Sequence, residues 1–225
     1  MTAPQPPLAL GHARSSLRES VADLVRAALV AGDMRPGEIY SVPALAAELG
    51  VSGTPVREAL LDLAKDGLLE PVRNKGFRVI TLSDEDLDAI YRVRELLEVP
   101  SLVDVHRAAT PADLGRLRDV CRRIEHAAAV GDLAEYLSAD REFHLSMLGL
   151  TGNTRLVEMV SSLRSQTRLF GLPPLAAVKA LGASAREHRT LLGLLAKGDL
   201  DAAQDLMSRH LRHTRGSWAG REEGP

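Results

Sequence analysis

The residues best suited to chemistry in this chain are one carboxylate and three imidazoles in its C-terminal half. Asp140 and His144 are four positions apart, so a helix would present both on one face. His188 and His210 lie in two later helical segments, which a bundle could bring to the same place. One carboxylate with three imidazoles suits a divalent transition ion and leaves coordination positions open for a ligand. The pattern is therefore compatible with a site for zinc, nickel or manganese, although by itself it is more typical of ordinary core or surface histidines.

The remaining histidines have no comparable placement. A histidine at an isolated position is more often a satisfied core or surface side chain than a metal ligand. We interpret four of them as surface residues: His12, His106, His126 and His213.

A metal beside a cavity could anchor a small carboxylate, such as a hydroxy acid or a sugar acid. A nearby arginine would then complete a charge-assisted clamp on the same anion. Arg94 is the first candidate for this clamp, followed by Arg164 and Arg168. Each of these arginines could instead be a surface or inter-helix salt-bridge residue.

A hydrolytic role for the metal would require a general base beside a metal-bound water. Glu187 adjoins His188, and Glu142 lies between Asp140 and His144. Neighbouring helix positions point about 100° apart, so neither glutamate is expected to face the same site. We therefore expect no catalytic residues and no enzymatic activity.

The segment that carries these residues has helical periodicity and no β pattern. Glycines that end helices are followed by capping aspartates at Gly131-Asp132 and at Gly198-Asp199. The short connections predict an antiparallel all-α bundle of six to seven helices. The predicted helices span residues 84–108, 111–130, 132–149, 153–170, 175–197 and 199–217.

A second functional unit precedes this bundle. Residues 17–31 have helical periodicity, and a second short helix is predicted from a cap at Ser41 to Gly50. The next stretch, GVSGTPVREALLDLAKDG, predicts a third helix with Thr54 as N-cap and Pro55 at the first helical position. Two short helices joined by a tight turn with a glycine make a helix-turn-helix.

The third helix is amphipathic. Four apolar residues form one buried stripe, while Arg57, in its first turns, points elsewhere. Such a helix could enter a DNA groove, although most helices of this pattern are ordinary core helices. The stripe consists of Val56, Ala59, Leu60 and Leu63.

A basic hairpin follows this helix. Two short apolar runs flank Arg73-Asn74-Lys75-Gly76, where we expect Lys75 and Gly76 to take left-handed geometry. Between Pro71 and Ile80 there are three basic residues and no acid. A helix, a helix-turn-helix and a basic hairpin make a winged helix, which we place at residues 16–81.

The composition is compatible with this two-part, mostly helical chain. Hydrophobic residues make up 45% of the 225 residues and aromatic residues only 3%, which favours helical cores of Leu, Val and Ala. Cys121 is the single cysteine, which excludes an internal disulfide and fits the reducing cytoplasm. No apolar run suggests a signal peptide or a membrane span. We expect disordered tails at residues 1–15 and 218–225.

Beyond these patterns, the chain resembles a known family of regulators. Residues 16–80 resemble the winged-helix domain of GntR-type bacterial transcription regulators, and residues 84–217 resemble the all-helical FCD effector domain of the FadR-like branch. Many FCD domains hold a metal with the order Asp-x3-His, His, His. The resemblance therefore implies a divalent metal, zinc first, at Asp140, His144, His188 and His210. The N-terminal resemblance is carried by Leu45-Ala46, Gly50-Val51-Ser52, the run TPVREAL at 54–60 and Gly67-Leu68.

The resemblance implies roles for individual residues of the winged helix. Arg57 would read a base edge, most naturally guanine, through a bidentate contact. Ser52 and Thr54 would contact phosphates, Lys75 and Gly76 would approach the minor groove, and Arg73 would contact the backbone. Without this context, Arg57 would be interpreted as a solvated surface residue.

Two positions depart from the family pattern. Gly53 stands where an arginine is common, and Pro43 stands where a polar or basic residue is common. Since both positions usually touch DNA, the operator sequence cannot be transferred from the family.

The sequence thus predicts a homodimeric repressor that binds operator DNA and responds to a small organic acid near a divalent metal. One alternative is a metal-responsive regulator without an organic effector. The other is the metal-dependent hydrolase considered above.

Overall fold

A computed structural model describes the backbone of residues 12–168 and 176–218, and the side chains of residues 17–29, 32–167 and 181–212. The chain divides into two compact units between Ile80 and Thr81. The mostly helical fold, with a small β-hairpin wing after a helix-turn-helix, is confirmed. The first unit contains α1 (His12–Ala31), β1 (Ile39–Tyr40), α2 (Val42–Leu49), α3 (Gly53–Lys65), β2 (Leu69–Val72) and β3 (Gly76–Val79).

The limits of α1 and of the last helix correct the predicted tails. Helix α1 begins at His12, so residues 12–15 are helical and do not belong to a disordered tail. Trp218 ends the last helix, so it too is not part of a tail. The rest of both predicted tails, residues 1–11 and 219–225, lies outside the described residues.

Helix α3 begins two residues earlier than predicted. Its N-cap is Ser52 and not Thr54, and Ser52 makes no side-chain capping hydrogen bond. Proline is tolerated throughout the first turn because the amides there have no intrahelical acceptor, so Pro55 does not fix the start at one residue. The apolar stripe is buried as predicted, with no exposed surface on any of its four members: Val56, Ala59, Leu60 and Leu63.

The wing contains a strand that the sequence pattern did not indicate. The sheet order is β1-β3-β2 with antiparallel pairing, and Tyr40 of β1 lies opposite Phe77 of β3. Two residues are too few to show an alternating pattern. The left-handed residue in the turn is Asn74, with φ 59°, where Lys75 was expected. Asparagine is one of the few non-glycine residues that adopt this conformation at low cost.

Gly76 has a structural role that depends on β1. Its φ of 138° is disfavoured for residues with a side chain. A Cβ atom at this position would overlap the carbonyl oxygen of Tyr40 and lie 2.9 Å from Ser41 Cα. Strand β1 can therefore pair with β3 only because residue 76 is glycine.

Over its described residues, the second unit is a bundle of six helices. Capping boxes at Ser83 with Asp86 and at Thr110 with Asp113 start the first two. Gly131 ends the second helix and Gly198 the fifth, both with positive φ. None of the described helices is long and apolar enough to cross a membrane. The helices are α4 (Asp84–Ala108), α5 (Pro111–Val130), α6 (Leu133–Gly149), α7 (Thr154–Arg168), α8 (Ala176–Lys197) and α9 (Leu200–Trp218).

Helix α4 is the centre of this bundle. It packs against α6, α7, α8 and α9, while α5 packs against α6 and α8. Phe143 of α6 is fully buried and makes edge contacts with the rings of His144 and His188, at centroid distances of 5.4 and 4.9 Å. This packing brings polar faces of five helices to one interior position.

We predict that Gly76→Ala destabilises the winged-helix unit by roughly 1–3 kcal/mol, because alanine adds backbone strain and displaces β1. Urea unfolding with amide hydrogen exchange at residues 37–40 and 76–79 would measure the change in the full-length chain. The control is Gly53→Ala, whose Cβ would meet only Val42 Cγ1 at 3.5 Å in a helical backbone. Equal stability of both variants would contradict the role of Gly76.

Candidate functional site

The four predicted metal ligands converge inside the helical bundle. Asp140 and His144 come from α6, His188 from α8 and His210 from α9. One ligand atom from each lies within 4.8 Å of the other three. All four side chains are buried, and His144 has no exposed surface. The four residues come from three helices that are far apart in the sequence, so their separation along the chain does not by itself indicate that they meet.

The ring nitrogens of two histidines meet at the centre of this cluster. His188 Nε2 lies 3.2 Å from His144 Nε2 and 3.0 Å from Asp140 Oδ1. His144 Nε2 lies 3.8 Å from the same Asp140 oxygen. These atoms are a carboxylate oxygen and imidazole nitrogens, which are the donors that divalent transition ions prefer.

The outer ring nitrogens each face an oxygen atom. His144 Nδ1 lies 3.2 Å from Glu98 Oε2, His188 Nδ1 lies 2.9 Å from the carbonyl oxygen of Ser184, and His210 Nδ1 lies 2.8 Å from Glu187 Oε2. Carbonyl and carboxylate oxygens only accept, so Nδ1 of His188 and Nδ1 of His210 each carry the proton that they donate. The contact of His144 Nδ1 with Glu98 is close but is not a hydrogen bond. In the neutral rings the Nε2 lone pairs are then available to an ion.

This arrangement of ring nitrogens and carboxylate oxygen suits a positive charge at the centre. With its Nδ1 donating to Ser184, a neutral His188 presents only a lone pair toward Asp140 Oδ1 and His144 Nε2. Acceptor atoms at 3.0 to 3.2 Å repel one another unless a proton or a metal ion lies among them. The donor set therefore fits a divalent cation.

Burial keeps two of these imidazoles neutral. It lowers the pKa of His144 well below its usual value, and the charge of Arg164 adds to this effect. Burial also lowers the pKa of His210, which the Glu187 carboxylate offsets only in part. The neutral ring is the form that binds a metal ion.

Glu98 and Glu187 are functional neighbours that the sequence analysis missed. Glu187 was expected to face away from the site, and it does not reach the centre itself, but its carboxylate supports His210 from behind. Glu98, on α4, is fully buried and was not considered. Its spacing of four residues from Arg94 was the available signal, because it allows an ion pair along one helix.

The two described arginine candidates lie in buried ion pairs next to the cluster. Arg94 Nε donates to Glu98 Oε1 at 2.8 Å, and Arg164 Nη2 donates to Asp140 Oδ2 at 2.5 Å. Arg164 Nη1 also lies 3.4 Å from Glu98 Oε2. The side chain of the third candidate, Arg168, lies outside the described residues. The structure therefore brings Arg94 and Arg164 to the site but gives each an internal carboxylate partner.

The ion pairs determine the charge state of Glu98. Burial by itself would raise the pKa of this carboxyl, but the charges of Arg94 and Arg164 outweigh burial and hold the pKa well below its usual range. Two guanidinium groups thus face the ionised carboxylates of Glu98 and Asp140. The formal charges of this group cancel before any metal ion is counted.

Three polar atoms in the same region are fully enclosed and have no hydrogen-bond partner among the described residues. They are the hydroxyl of Tyr91, Nε of Arg164 and Nδ1 of His144. The ring of Tyr91 also lies under the guanidinium of Arg94, whose Cζ is 5.1 Å from the ring centroid. Buried polar atoms are rarely left unsatisfied, so this place is suited to a water molecule or a polar ligand.

Two of the other histidines have described side chains, and one of them corrects a prediction. His126 is exposed as expected. His106 is not a surface residue: it is half-buried, and its Nδ1 lies 2.8 Å from the carbonyl oxygen of Leu195. This contact links α4 to α8, so His106 has a structural role. His12 and His213 have side chains outside the described set.

The predicted DNA-contacting residues lie on the surface of the first unit. Ser52, Thr54 and Arg57 are exposed at the N-terminal part of α3, and Arg73 and Lys75 are exposed in the turn of the wing. Gly76 is half-buried beneath β1, so its identity has a structural cause whether or not it approaches DNA.

The cations of this unit fall into two groups. Arg18, Arg26 and Arg78 form ion pairs with Asp62, Asp66 and Glu70, respectively. In contrast, no described acidic group pairs with the arginine in the first turns of α3 or with the two cations in the turn of the wing. These are Arg57, Arg73 and Lys75.

Comparison with known families gives matches to both units. Residues 17–79 match the family described as bacterial regulatory proteins of the gntR family, and residues 89–213 match the FCD domain.

Among curated proteins, the Nta operon transcriptional regulator of Aminobacter aminovorans is 35% identical over 134 residues. That alignment covers 60% of this chain and 63% of the relative, slightly less than two thirds of its length. An HTH-type transcriptional regulator from an unstable DNA locus of Streptomyces ambofaciens is 30% identical over 80% of this chain and 75% of its own.

The fold also has solved counterparts. McbR (YncC) of E. coli has a TM-score of 0.77 at 24% identity, covering 91% of this chain and 97% of its own. A GntR regulator from Rhodococcus has a TM-score of 0.72 at 27% identity, covering 92% and 100%. Since the family matches extend over most of the sequence, this chain belongs to the GntR family of bacterial transcriptional regulators that carry an FCD domain.

Proposed function

We propose that this regulator is a homodimeric repressor whose operator affinity is controlled by a small organic acid bound beside a divalent metal ion. The observation that carries the proposal is the convergence of Asp140, His144, His188 and His210 in the buried core of the FCD domain. The families matched are regulators and not enzymes, so the hydrolase alternative has no support.

The direction of regulation is supported by a relative. The gluconate operon transcriptional repressor of Bacillus licheniformis is 26% identical over 70% of this chain and 64% of its own length. Its name identifies a repressor of a sugar-acid operon. We extend both features to this chain as parts of the proposal: repression, and a hydroxylated acid as the effector class.

In the proposed complex with DNA, α3 lies in the major groove. Arg57 reads a guanine edge through its two-pronged guanidinium group, while Ser52 and Thr54 contact phosphates. Arg73, Lys75 and Gly76 of the wing approach the backbone and the minor groove. Two copies related by a two-fold axis would match a palindromic operator. The support is the exposure of these cations without described ion-pair partners.

In the proposed metal site, Asp140, His144, His188 and His210 hold the ion, with zinc as the first expectation. When bound, the ion supplies positive charge and open coordination positions that an acid can occupy. Asp140 is oriented by Arg164, and the imidazoles of His188 and His210 are oriented through their Nδ1 atoms. This orientation of three of the four ligands by outer partners supports metal binding, because metal-binding histidines are held in this way.

The charges around the site favour an anionic effector. Arg94 and Arg164 are balanced by Glu98 and Asp140, so the two positive charges of a divalent ion would be offset only in part, by Glu187 behind His210. Such an excess is costly unless an anion accompanies the ion. Arg94, Arg164 and Arg168 remain the proposed effector contacts, and the Tyr91 hydroxyl and Arg164 Nε offer hydrogen-bond donors.

One observation favours the metal-responsive alternative. Arg94 and Arg164 already have carboxylate partners, so an organic anion would compete with Glu98 and Asp140 for them. If that competition fails, the ion itself is the signal. The two functions differ in whether an organic acid changes the behaviour of the metal-loaded protein.

Arg57→Ala is predicted to abolish specific operator binding while leaving the FCD domain folded and metal-loaded. A bidentate arginine–guanine contact is worth roughly 1–3 kcal/mol, and a dimer makes two, so affinity should fall about a hundredfold or more. Fluorescence anisotropy on an operator selected with the wild-type protein would measure the loss. Lys65→Ala, at the other end of α3, is the matched control. Wild-type affinity in Arg57→Ala would refute this assignment.

His188→Ala should remove tightly bound metal but preserve the dimer, since the change deletes one ligand without touching the surface. Metal analysis after dialysis, together with light scattering, would test both parts. His126→Ala removes an exposed histidine and should retain the metal content of the wild type. Full metal occupancy in His188→Ala would contradict the proposed site.

A panel of sugar acids, dicarboxylates and hydroxy acids should contain a compound that stabilises the metal-loaded protein against heat. A ligand at a hundred times its Kd stabilises by about 2.7 kcal/mol, which a thermal-shift assay detects readily. The same compound should have little effect on the metal-stripped protein. If no acid shifts the melting temperature while metal removal alters operator affinity, the metal-responsive function is correct.

A further inference from the structure

We infer that Glu187 is a positioning residue that holds His210 in its metal-binding orientation and thereby helps to determine the metal affinity of the FCD domain. The inference rests on the proposed metal site and concerns a residue outside the set of direct ligands. Glu187 Oε2 accepts a hydrogen bond from His210 Nδ1 at 2.8 Å, and the contact joins α8 to α9.

The environment of the pair makes this contact effective. The imidazole of His210 is only 4% exposed and the carboxylate of Glu187 only 19%, so water competes little for either group. A hydrogen bond between a carboxylate and an imidazole N–H fixes the ring orientation and leaves the opposite nitrogen unprotonated. The ring of His210 also stacks on that of His144, with centroids 5.3 Å apart.

Because Glu187 is next to His188, helix α8 contributes to the proposed metal site in two ways. Adjacent helix residues diverge by about 100°, so His188 can point at the centre while Glu187 points at the neighbouring helix. The peptide carbonyl of Ser184, one turn earlier, accepts a hydrogen bond from Nδ1 of His188. A single helix therefore supplies one ligand and the outer support for two ligands.

Glu98 has the corresponding place behind His144, but it is less suitable for an experiment. Its carboxylate also pairs with Arg94 and Arg164, so its removal would leave two buried guanidinium groups short of a partner. Loss of metal in such a variant could come from a disrupted core. The Glu187 side chain is 19% exposed, so its removal disturbs the buried core less.

The test compares Glu187→Ala, Glu187→Gln and Glu142→Ala in the full-length protein. Zinc Kd is measured by competition with a chromophoric chelator, and the coordination environment by the visible spectrum of the cobalt-loaded protein. Glu142 is a matched control because it lies between the ligands Asp140 and His144 in sequence, yet is exposed and pairs with Arg123.

We expect Glu187→Ala to weaken zinc binding by about 10- to 100-fold and to change the cobalt spectrum. Glu187→Gln should recover much of the affinity, because its amide oxygen still accepts from Nδ1. Glu142→Ala should behave as the wild type. A purely structural role would lower the thermal stability of the metal-free protein without these effects.

Failure of the inference about Glu187 can be distinguished from failure of the proposed metal site. If the wild type binds zinc, His188→Ala loses it and Glu187→Ala binds with wild-type affinity and spectrum, the inference about Glu187 is wrong and the metal site stands. If the wild type itself binds no divalent ion, both are wrong. Should Glu187→Ala fail to fold, Glu187→Gln provides the test. The inference would be overturned if that variant kept the wild-type Kd and cobalt spectrum while NMR showed His210 to be protonated and without a fixed orientation.

Discussion

The FCD domain depends on the mutual pairing of charges that it buries around Asp140 and Glu98. Two guanidinium groups, two carboxylates and three imidazoles lie buried together inside the bundle. Removing one partner from a buried pair typically costs about 3–5 kcal/mol, because the other charge is left uncompensated. The helices that carry these groups must therefore keep their register, which makes the site and the core a single structure.

This dependence explains why the site spans so many elements. Helix α4 contributes Arg94 and Glu98, α6 contributes Asp140 and His144, and α7 contributes Arg164. Helices α8 and α9 complete the group with histidines. A ligand that alters the pairing at one member alters the contacts between several helices at once. Differential binding to two such arrangements is the physical requirement for an effector to shift a population.

The DNA-binding unit distributes its charges by a different principle. Three arginines are paired with acidic groups on the unit, whereas Arg57, Arg73 and Lys75 remain exposed toward solvent. The net charge of −2 for the whole chain conceals this local excess. A DNA contact surface needs only a few accessible cations on the right elements, so the overall charge is a poor guide to it.

The sequence by itself determined the helices, most of their caps, the apolar stripe of α3, the winged-helix family and the candidate residues for a metal site. These features depend on periodicity, local hydrogen bonding and a recognisable motif, all of which are local in the chain. Only the tertiary structure decided that β1 joins the wing above Gly76, that Glu187 supports His210, and that Glu98 binds both arginines. Each of those contacts either joins residues on different elements or depends on burial. A short stretch of sequence encodes neither the pairing of distant elements nor the burial of a side chain.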